Sequence, residues 1–490
     1  MSTEIGITFV VYLMFLLAVG FYFYRRSATI EDYLLGGRSM GAWVTALSAQ
    51  ASDMSGWLLM GLPGALYAGG VIEAWIAIGL FMGTVLNWLL VAGRLRVYTE
   101  KTSTITLPCF FEERFKDPTG LLRIVSAIII LIFFTIYASS GLVAAGKLFE
   151  SIFAIDYRLS VLIGGVIIVG YTFMGGFPAV CWTDLFQGLL MLLALIAVPI
   201  AACRAFGGMD EVRRAMELKE VATNLFGHKQ AYPALAIVSA AAWGLGYFGQ
   251  PHILVRFMSA KSLVKLREGT IIAAVWAFLS LGGAVLAGLV GIGIFEHLDK
   301  AEQDKVFIYM IGRVFHPWIA GVMLAAILSA IMSTIDSQLL VSSSALTEDF
   351  YQKVIRKDAP KGRLILVGRL CVIAISLVAM VLALNPNRTI MEIVSYAWGG
   401  FGASFGPLVL FALFSRKTSW QAALGGMVVG AVVLVVWRQA GWSDYMYELV
   451  PGFAANCCTI IIVNRFLPQQ DSIAVEVFEQ VQSAVRPEGG

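Results

Sequence analysis

Thirteen stretches of roughly 20 largely apolar residues recur along this chain, at approximately 5–25, 41–68, 71–93, 124–146, 159–180, 184–206, 232–255, 268–295, 317–346, 364–384, 390–415, 419–438 and 447–465. A run of that length spans the hydrocarbon core of a bilayer as a helix. In lipid every backbone polar group must be satisfied within the segment or by its neighbours. These runs therefore predict an all-α polytopic membrane protein of about 13 transmembrane helices, with the lipid bilayer as its surroundings. Composition agrees, since 59% of residues are hydrophobic and 14% charged, against about 45–50% and about 25% in soluble domains. A net charge of +3 with scattered basic residues excludes a nucleic-acid footprint. Glu4 precedes the first run and no Lys or Arg does, so that run reads as a retained span rather than a signal peptide. Cys109, Cys181, Cys203, Cys371, Cys457 and Cys458 lack paired spacing and read as small hydrophobes, not as metal ligands or disulfides.

With the amino terminus outside, most Lys and Arg fall in cytoplasmic segments, as the positive-inside bias requires. Arg256 is counted among those loop charges. An odd number of spans puts the carboxyl terminus in the cytoplasm. The loops at 94–123, 207–231 and 297–316 are too short for separate domains, and the polar tail from Leu467 reads as mobile.

Two spans carry residues that break helices. In Ala46–Gly64 an apolar half ends near Ala51, an unwound turn is expected from Asp53 to Gly56, and a second half starts at Trp57. A carboxylate at membrane depth costs from about 2.5 to over 10 kcal/mol, so Asp53 belongs where water, a cation or unwound backbone meets it. The other reading makes Asp53 and Ser55 caps of the second half-helix. In Ala241–Pro251, Gly244, Gly246 and Gly249 precede Pro251, which lacks an amide hydrogen and crowds the Tyr247 carbonyl. The breaks open spans 2 and 7, so spans 2–6 (41–206) and 7–11 (232–415) read as two five-helix halves. An odd-numbered repeat enters the membrane in opposite senses, which places a binding site between the two breaks. Flanking these halves are 1–40 (first span and cytoplasmic loop), the outer loop 207–231, two further spans at 416–466 and the tail 467–490. Trp243 and Tyr247, spaced i, i+4, are expected to share one helix face, for a ligand or for ordinary packing.

Span 9 holds a third polar stretch, Leu328–Gln338. Ser333, Thr334 and Ser337 with the Ala330 carbonyl can offer oxygens from one side, either to an ion or to neighbouring helices as hydrogen-bonding glue. Two other patterns carry no chemistry here. Gly244–Gly249 matches a dinucleotide-binding glycine pattern without the strand it needs, and Gly141–Leu148 has Leu148 where a phosphate loop needs Ser or Thr. Four scattered histidines give no hydrolytic metal site, so an enzyme is not expected.

At these residues the chain resembles the sodium/solute symporter family, and within it the proline branch. The resemblance runs from about Asp32 to Gly452, through Leu34–Ser39, Ala49–Trp57, Phe133–Tyr137, Phe173–Phe177, Trp182–Asp184, Trp243–His252, Met332–Thr334 and Val394–Trp398. It implies a LeuT-like inverted repeat of five plus five helices with extra terminal helices. It further implies sodium-coupled import of L-proline by alternating access across a bacterial cytoplasmic membrane. Carried over residue by residue, sodium is held by the carbonyls of Ala51, Met54 and Ala330 and the hydroxyls of Ser333 and Thr334, with Asp53 nearby. Proline sits near Ser55, Gly56, Tyr137, Trp243, Tyr247 and Pro251, and Arg38 acts as a cytoplasmic gate. Some family members bind another sodium, which points here to Asp184, Ser333, Asp336 and Ser337. Enteric proline symporters have a small hydroxyl residue at the position of Asp336. The alternative for Asp184 and Asp336 is a cap on span 6 and a solvated helix end. The alternatives for the whole are another small amino acid or betaine as cargo, protons as the coupling ion, or a membrane proline sensor that transports nothing.

Overall fold

The computed structural model describes residues 3–24, 35–172, 176–226, 234–356, 360–385 and 388–485. Of the strings above, Leu34 and Phe173–Gly175 lie outside the described residues, as do 227–233 of the outer loop and its junction, and the tail beyond Val485. Among the described residues ten helices are long and apolar enough to cross a membrane, and three shorter apolar helices, Trp57–Gly69, Tyr157–Gly170 and Ala234–Gly249, accompany them. Two of these three are short because they belong to the broken spans, so each of the thirteen apolar runs holds a helix among its described residues.

In chain order, α1 (Thr3–Tyr24) precedes the first broken span, made of α2 (Ala42–Asp53), a π turn (Trp57–Gly61) and α3 (Leu62–Gly69). The next helix is longer than its apolar run, because α4 (Ala74–Leu86) continues through a π turn at Asn87–Ala92 into α5 (Gly93–Lys101). A short α6 (Leu107–Phe115) leads to α7 (Leu121–Phe153), α8 (Tyr157–Thr172) and α9 (Phe177–Phe206). The loop helix α10 (Met209–Leu218) precedes the second broken span, formed by α11 (Ala234–Ala241), a 3-10 stretch (Ala242–Gly249) and α12 (Pro251–Ser259). Then come α13 (Leu263–Ile294), the loop helices α14 (Lys300–Gln303) and α15 (Val306–Val314), and α16 (Pro317–Ser344). The chain closes with α17 (Lys361–Ala383), α18 (Ile390–Phe414), α19 (Trp420–Gln439), α20 (Leu449–Phe466) and α21 (Ser472–Val485).

The loops expected to be too short for separate domains carry the short helices α6, α10, α14 and α15. Two expectations are corrected. The tail is a helix docked on the bundle. Ala474, Phe478 and Val481 of α21 are buried, Gln482 Nε2 bonds the Leu413 carbonyl at 2.7 Å, and Arg416 pairs with Glu479 at 2.8 Å. Finally, α9 starts at Phe177, so Asp184 lies two turns inside a helix rather than at its opening.

The two breaks follow local chemistry. Met54 leaves the helix at φ −86°, ψ 81°, with Gly56 close behind. At the second break, Gln250 is extended (φ −81°, ψ 107°) and Pro251 takes the first position of α12, because proline excludes the α region for its predecessor and tolerates a helix start. The 3-10 stretch lies against α4 with backbone meeting backbone. A methyl on Gly79 or Gly83 would collide with Ala241 or Gly244 main-chain atoms. The bundle has two faces. At one, Met40 bridges Ala260 beside Arg38; at the other, Gly70 bridges Ala222. α1 packs its first turns, Ile5 and Thr8, on Gly321 near the start of α16, while α21 lies at the Arg38 face, against α5.

Candidate ion and substrate site

Unwinding a helix in a membrane releases carbonyls that something must collect. At the first break the Ala51 carbonyl accepts from Ser333 Oγ at 2.7 Å and from Thr334 Oγ1 at 3.4 Å, and Ser333 Oγ also lies 3.2 Å from the Ala330 carbonyl. Four oxygens of α2 and α16 thus meet at one point, all buried. Hydroxyls and carbonyls are hard donors, and unwound carbonyls next to hydroxyls are the donor set that takes sodium in membranes. Met54 sits at the break itself, fully buried.

Asp53 is wholly buried, and its Oδ2 accepts from the Tyr247 hydroxyl at 2.6 Å while Oδ1 has no partner among the described residues. One hydrogen bond therefore joins the two breaks. The Asp53 carbonyl collects Trp57 Nε1 at 3.0 Å, the Ser55 amide at 3.0 Å and the Tyr137 hydroxyl at 3.4 Å. Ser55 Oγ accepts from the Trp57 amide at 3.3 Å, so Ser55 caps the second half-helix as well as lying beside Tyr137's partner. Gly56 is needed for close approach, since a methyl there would stand 2.8 Å from Ala144 Cβ and 3.2 Å from Ile331.

At the second break the freed carbonyls go to N–H donors. Trp398 Nε1 takes that of Trp243 at 2.8 Å, Asn87 Nδ2 that of Tyr247 at 3.1 Å, and Gln250 Nε2 that of Gly246 at 3.1 Å. The shared face expected for Trp243 and Tyr247 is corrected by the 3-10 winding. With three residues per turn, positions four apart are turned by about 120°. Tyr247 packs edge-on against Trp398 at 5.0 Å and points to Asp53. Trp243 stacks on Tyr447 at 5.4 Å, at the floor of a cavity of about 510 Å³ that Glu73, Trp75, Glu392 and Arg438 also line. Pro251 looks the other way, into a small cleft with Thr106, Phe177 and Asp349. The residues expected around one substrate are thus strung along the axis from Trp243 to Pro251, with Tyr137, Tyr247 and Ser55 at the centre.

Arg38, in the left-handed region at φ +51°, bonds Thr99 Oγ1 and the carbonyls of Thr99, Thr104 and Met258 at 2.9–3.2 Å. It clamps the chain before α2 to α5 and α12. Asp184, fully buried, accepts from Ser48 Oγ at 2.6 Å and pairs with Arg256 at 3.2 Å. Arg256 is itself fully buried and also donates to Ser337 Oγ, to Ser48 Oγ at 3.1 Å and to the His252 carbonyl at 2.9 Å. Its reading as a loop charge is therefore corrected. Asp336 is buried mid-helix, not solvated, and accepts from Thr172 Oγ1 of α8. Arg256, Asn87 and Trp398 are the site residues that the sequence reading missed. The signal for the first two was a single basic or amide group inside or against an apolar run.

The model of the sodium:solute symporter family matches residues 33–430. The chain belongs to the sodium:solute symporter family. The symporter is 50% identical over 473 residues to the high-affinity proline transporter of Bacillus subtilis (strain 168), covering 96% of this chain and 100% of that one. It is 47% identical over 468 residues to the sodium/proline symporter of Escherichia coli (strain K12), covering 94% and 93%. Its fold matches a substrate-bound, outward-open sodium-coupled sialic acid symporter with TM-score 0.80 at 19% identity, covering 96% of this chain and 99% of that one. A nucleobase-cation-symport-1 transporter in a closed conformation matches at TM-score 0.55 and 13% identity, covering 92% and 99%. The symporter therefore has the LeuT-like fold expected of it.

Proposed function

We infer that this protein imports L-proline together with sodium across a bacterial cytoplasmic membrane by alternating access. The observation that carries this reading is the Ala51 carbonyl held by the Ser333 and Thr334 hydroxyls at a helix break, in a chain whose relatives at 43–50% identity are described as proline transporters. Sodium is bound by the carbonyls of Ala51, Met54 and Ala330 and by both hydroxyls. On binding, each hydroxyl turns its hydrogen away and offers a lone pair to the ion, so the ion replaces hydrogen bonds between α2 and α16. The Asp53 charge tunes that affinity through its own position at the break.

Proline lies between the breaks, centred on Ser55, Gly56, Tyr137 and Tyr247, with Trp243 and Pro251 at the two ends of that line. Its carboxylate seeks amide hydrogens at a half-helix start, and its ring and secondary ammonium seek an aromatic face. The amino terminus is outside, so the cavity above Trp243 opens outward, and Arg38 holds the cytoplasmic side shut. No covalent step is needed, and we assign the protein no enzymatic activity. A tenfold sodium gradient contributes about 1.4 kcal/mol and the membrane potential about 2.3 kcal/mol per 100 mV. One ion at roughly 150 mV then supports a proline gradient of roughly three-thousandfold. Proline uptake into proteoliposomes, with sodium and proton gradients imposed separately, tests this reading. Accumulation under a sodium gradient alone is expected, and accumulation under a proton gradient alone would transfer the coupling to protons.

A further inference from the structure

Where the apolar run 71–93 ends and the run 268–295 begins, the Arg38 face holds a cavity of about 270 Å³. Its walls include Trp88 and Leu89 of the π turn, Arg94 of α5, Leu263 and Arg267 of α13, and Val485 of the tail helix α21. Polar hydrogens in this lining outnumber the acceptors offered to them. Trp88 is 4% exposed, and its indole N–H has no partner among the described residues. Arg94 donates through Nη1 to the Leu90 carbonyl at 3.1 Å and through Nε to Gln482 at 3.4 Å, with its guanidinium 4.4 Å from the Phe414 ring centre. Its Nη2 has no acceptor among the described residues. The Arg267 guanidinium is exposed and has none either, because the neighbouring acid, Glu268, is held by Lys265 at 2.8 Å. Among the described residues no carboxylate lines the cavity. Beside it, Leu89, Val264 and Ile271 are 60–69% exposed on membrane-crossing helices, a border that acyl chains cover.

We propose that this cavity binds an anionic phospholipid, with the phosphodiester between Arg94 and Arg267 and the acyl chains along Leu89, Val264 and Ile271. A guanidinium fork matches the oxygens of a phosphate, and basic pockets between spanning helices at a membrane surface take anionic headgroups. A zwitterionic headgroup would bring an ammonium against two guanidiniums with no carboxylate to receive it. A soluble phosphate would answer the guanidiniums and leave the apolar border unused. The space is kept by Gly93, where even a methyl would meet only Leu263 at 3.5 Å and Val485 at 3.8 Å. A lipid seated here ties α5 to α13 and to the tail helix, and α5 carries Thr99, which Arg38 bonds. The site stands apart from the ion and substrate site and does not depend on that reading.

The test uses full-length protein in detergent, stripped of lipid and titrated with dioleoylphosphatidylglycerol, dioleoylphosphatidylcholine or inorganic phosphate. Bound lipid is counted by native mass spectrometry, and the unfolding temperature is followed in parallel. Two arginines at a membrane surface set the expected preference of wild type for the anionic lipid at about thirtyfold. The double variant Arg94→Gln, Arg267→Gln is expected to lose that preference. Gly93→Leu, which fills the cavity and leaves both charges in place, is expected to lose it too, a readout that stands even if the double variant does not fold. Arg465→Gln, an exposed charge at the end of α20, is expected to keep it. Equal binding of the two lipids by wild type overturns the proposal, as does a preference that survives Gly93→Leu. A preference lost equally in Arg465→Gln overturns it in favour of general surface charge. Inorganic phosphate that stabilises the protein as well as the anionic lipid does would overturn it in favour of a soluble anion.

Discussion

The two breaks solve one problem with opposite chemistry. Each releases carbonyls inside a membrane. At the first, the Ala51 carbonyl is met by two hydroxyls, groups that can donate a hydrogen and, once rotated, offer a lone pair. At the second, the carbonyls of Trp243, Tyr247 and Gly246 are met by indole and amide N–H groups, which donate and can never ligate a cation. The first arrangement is exchangeable and the second is permanent. That difference assigns the ion to the first break and a fixed framework to the second, with the Tyr247–Asp53 hydrogen bond joining the two.

The largest expected effect comes from removing the charge at the exchangeable break. Asp53→Asn should abolish sodium-driven proline uptake while the protein still inserts. Uptake with unchanged sodium dependence would return Asp53 to a helix cap. Next, Ser333→Ala or Thr334→Ala should raise the sodium concentration for half-maximal uptake about tenfold, a loss of about 1.4 kcal/mol, read by sodium titration at saturating proline. A fall in maximal rate alone would make these hydroxyls helix glue. The matching change at the permanent break, Trp398→Phe, strands the Trp243 carbonyl at a cost of about 1–3 kcal/mol. Proline affinity should drop with sodium affinity in the absence of proline intact, and an equal loss of both would erase the contrast between the breaks. The smallest effect is expected from Tyr247→Phe, which keeps the ring on Trp398 and deletes one neutral-to-charged hydrogen bond of about 1.5–3 kcal/mol gross, partly recovered by neighbouring polar groups. A few-fold rise in half-saturating sodium is expected, and a change in proline affinity alone would place the hydroxyl with the substrate.

Much of this was legible because the membrane makes polar residues expensive. Asp53, the three glycines before Pro251, and Ser333 with Thr334 stand out against apolar runs, and the structure brings most of them to the two breaks. Trp243 and Tyr247 were misjudged for a physical reason: the i, i+4 rule holds for 3.6 residues per turn, and the glycines that predict the break also change the winding. Arg256 was misread because a basic residue at the end of an apolar run looks like a flanking charge until a buried acid is found for it. The docked tail helix was written in the spacing of Ala474, Phe478 and Val481, but Ile473, Val475 and Val477 blur that stripe in the sequence, and its partner shows only with the surface of α5 and α18 beside it.

The close seat of Gly79 and Gly83 against the second break has a mechanical consequence. A segment wound three to the turn has poor hydrogen bonds of its own and little bending stiffness. Pressed backbone to backbone against a regular helix, it is splinted, and its flexural rigidity becomes that of α4. A load that bends one then bends the other, and the first backbone free of that splint is the extended Gln250 before Pro251.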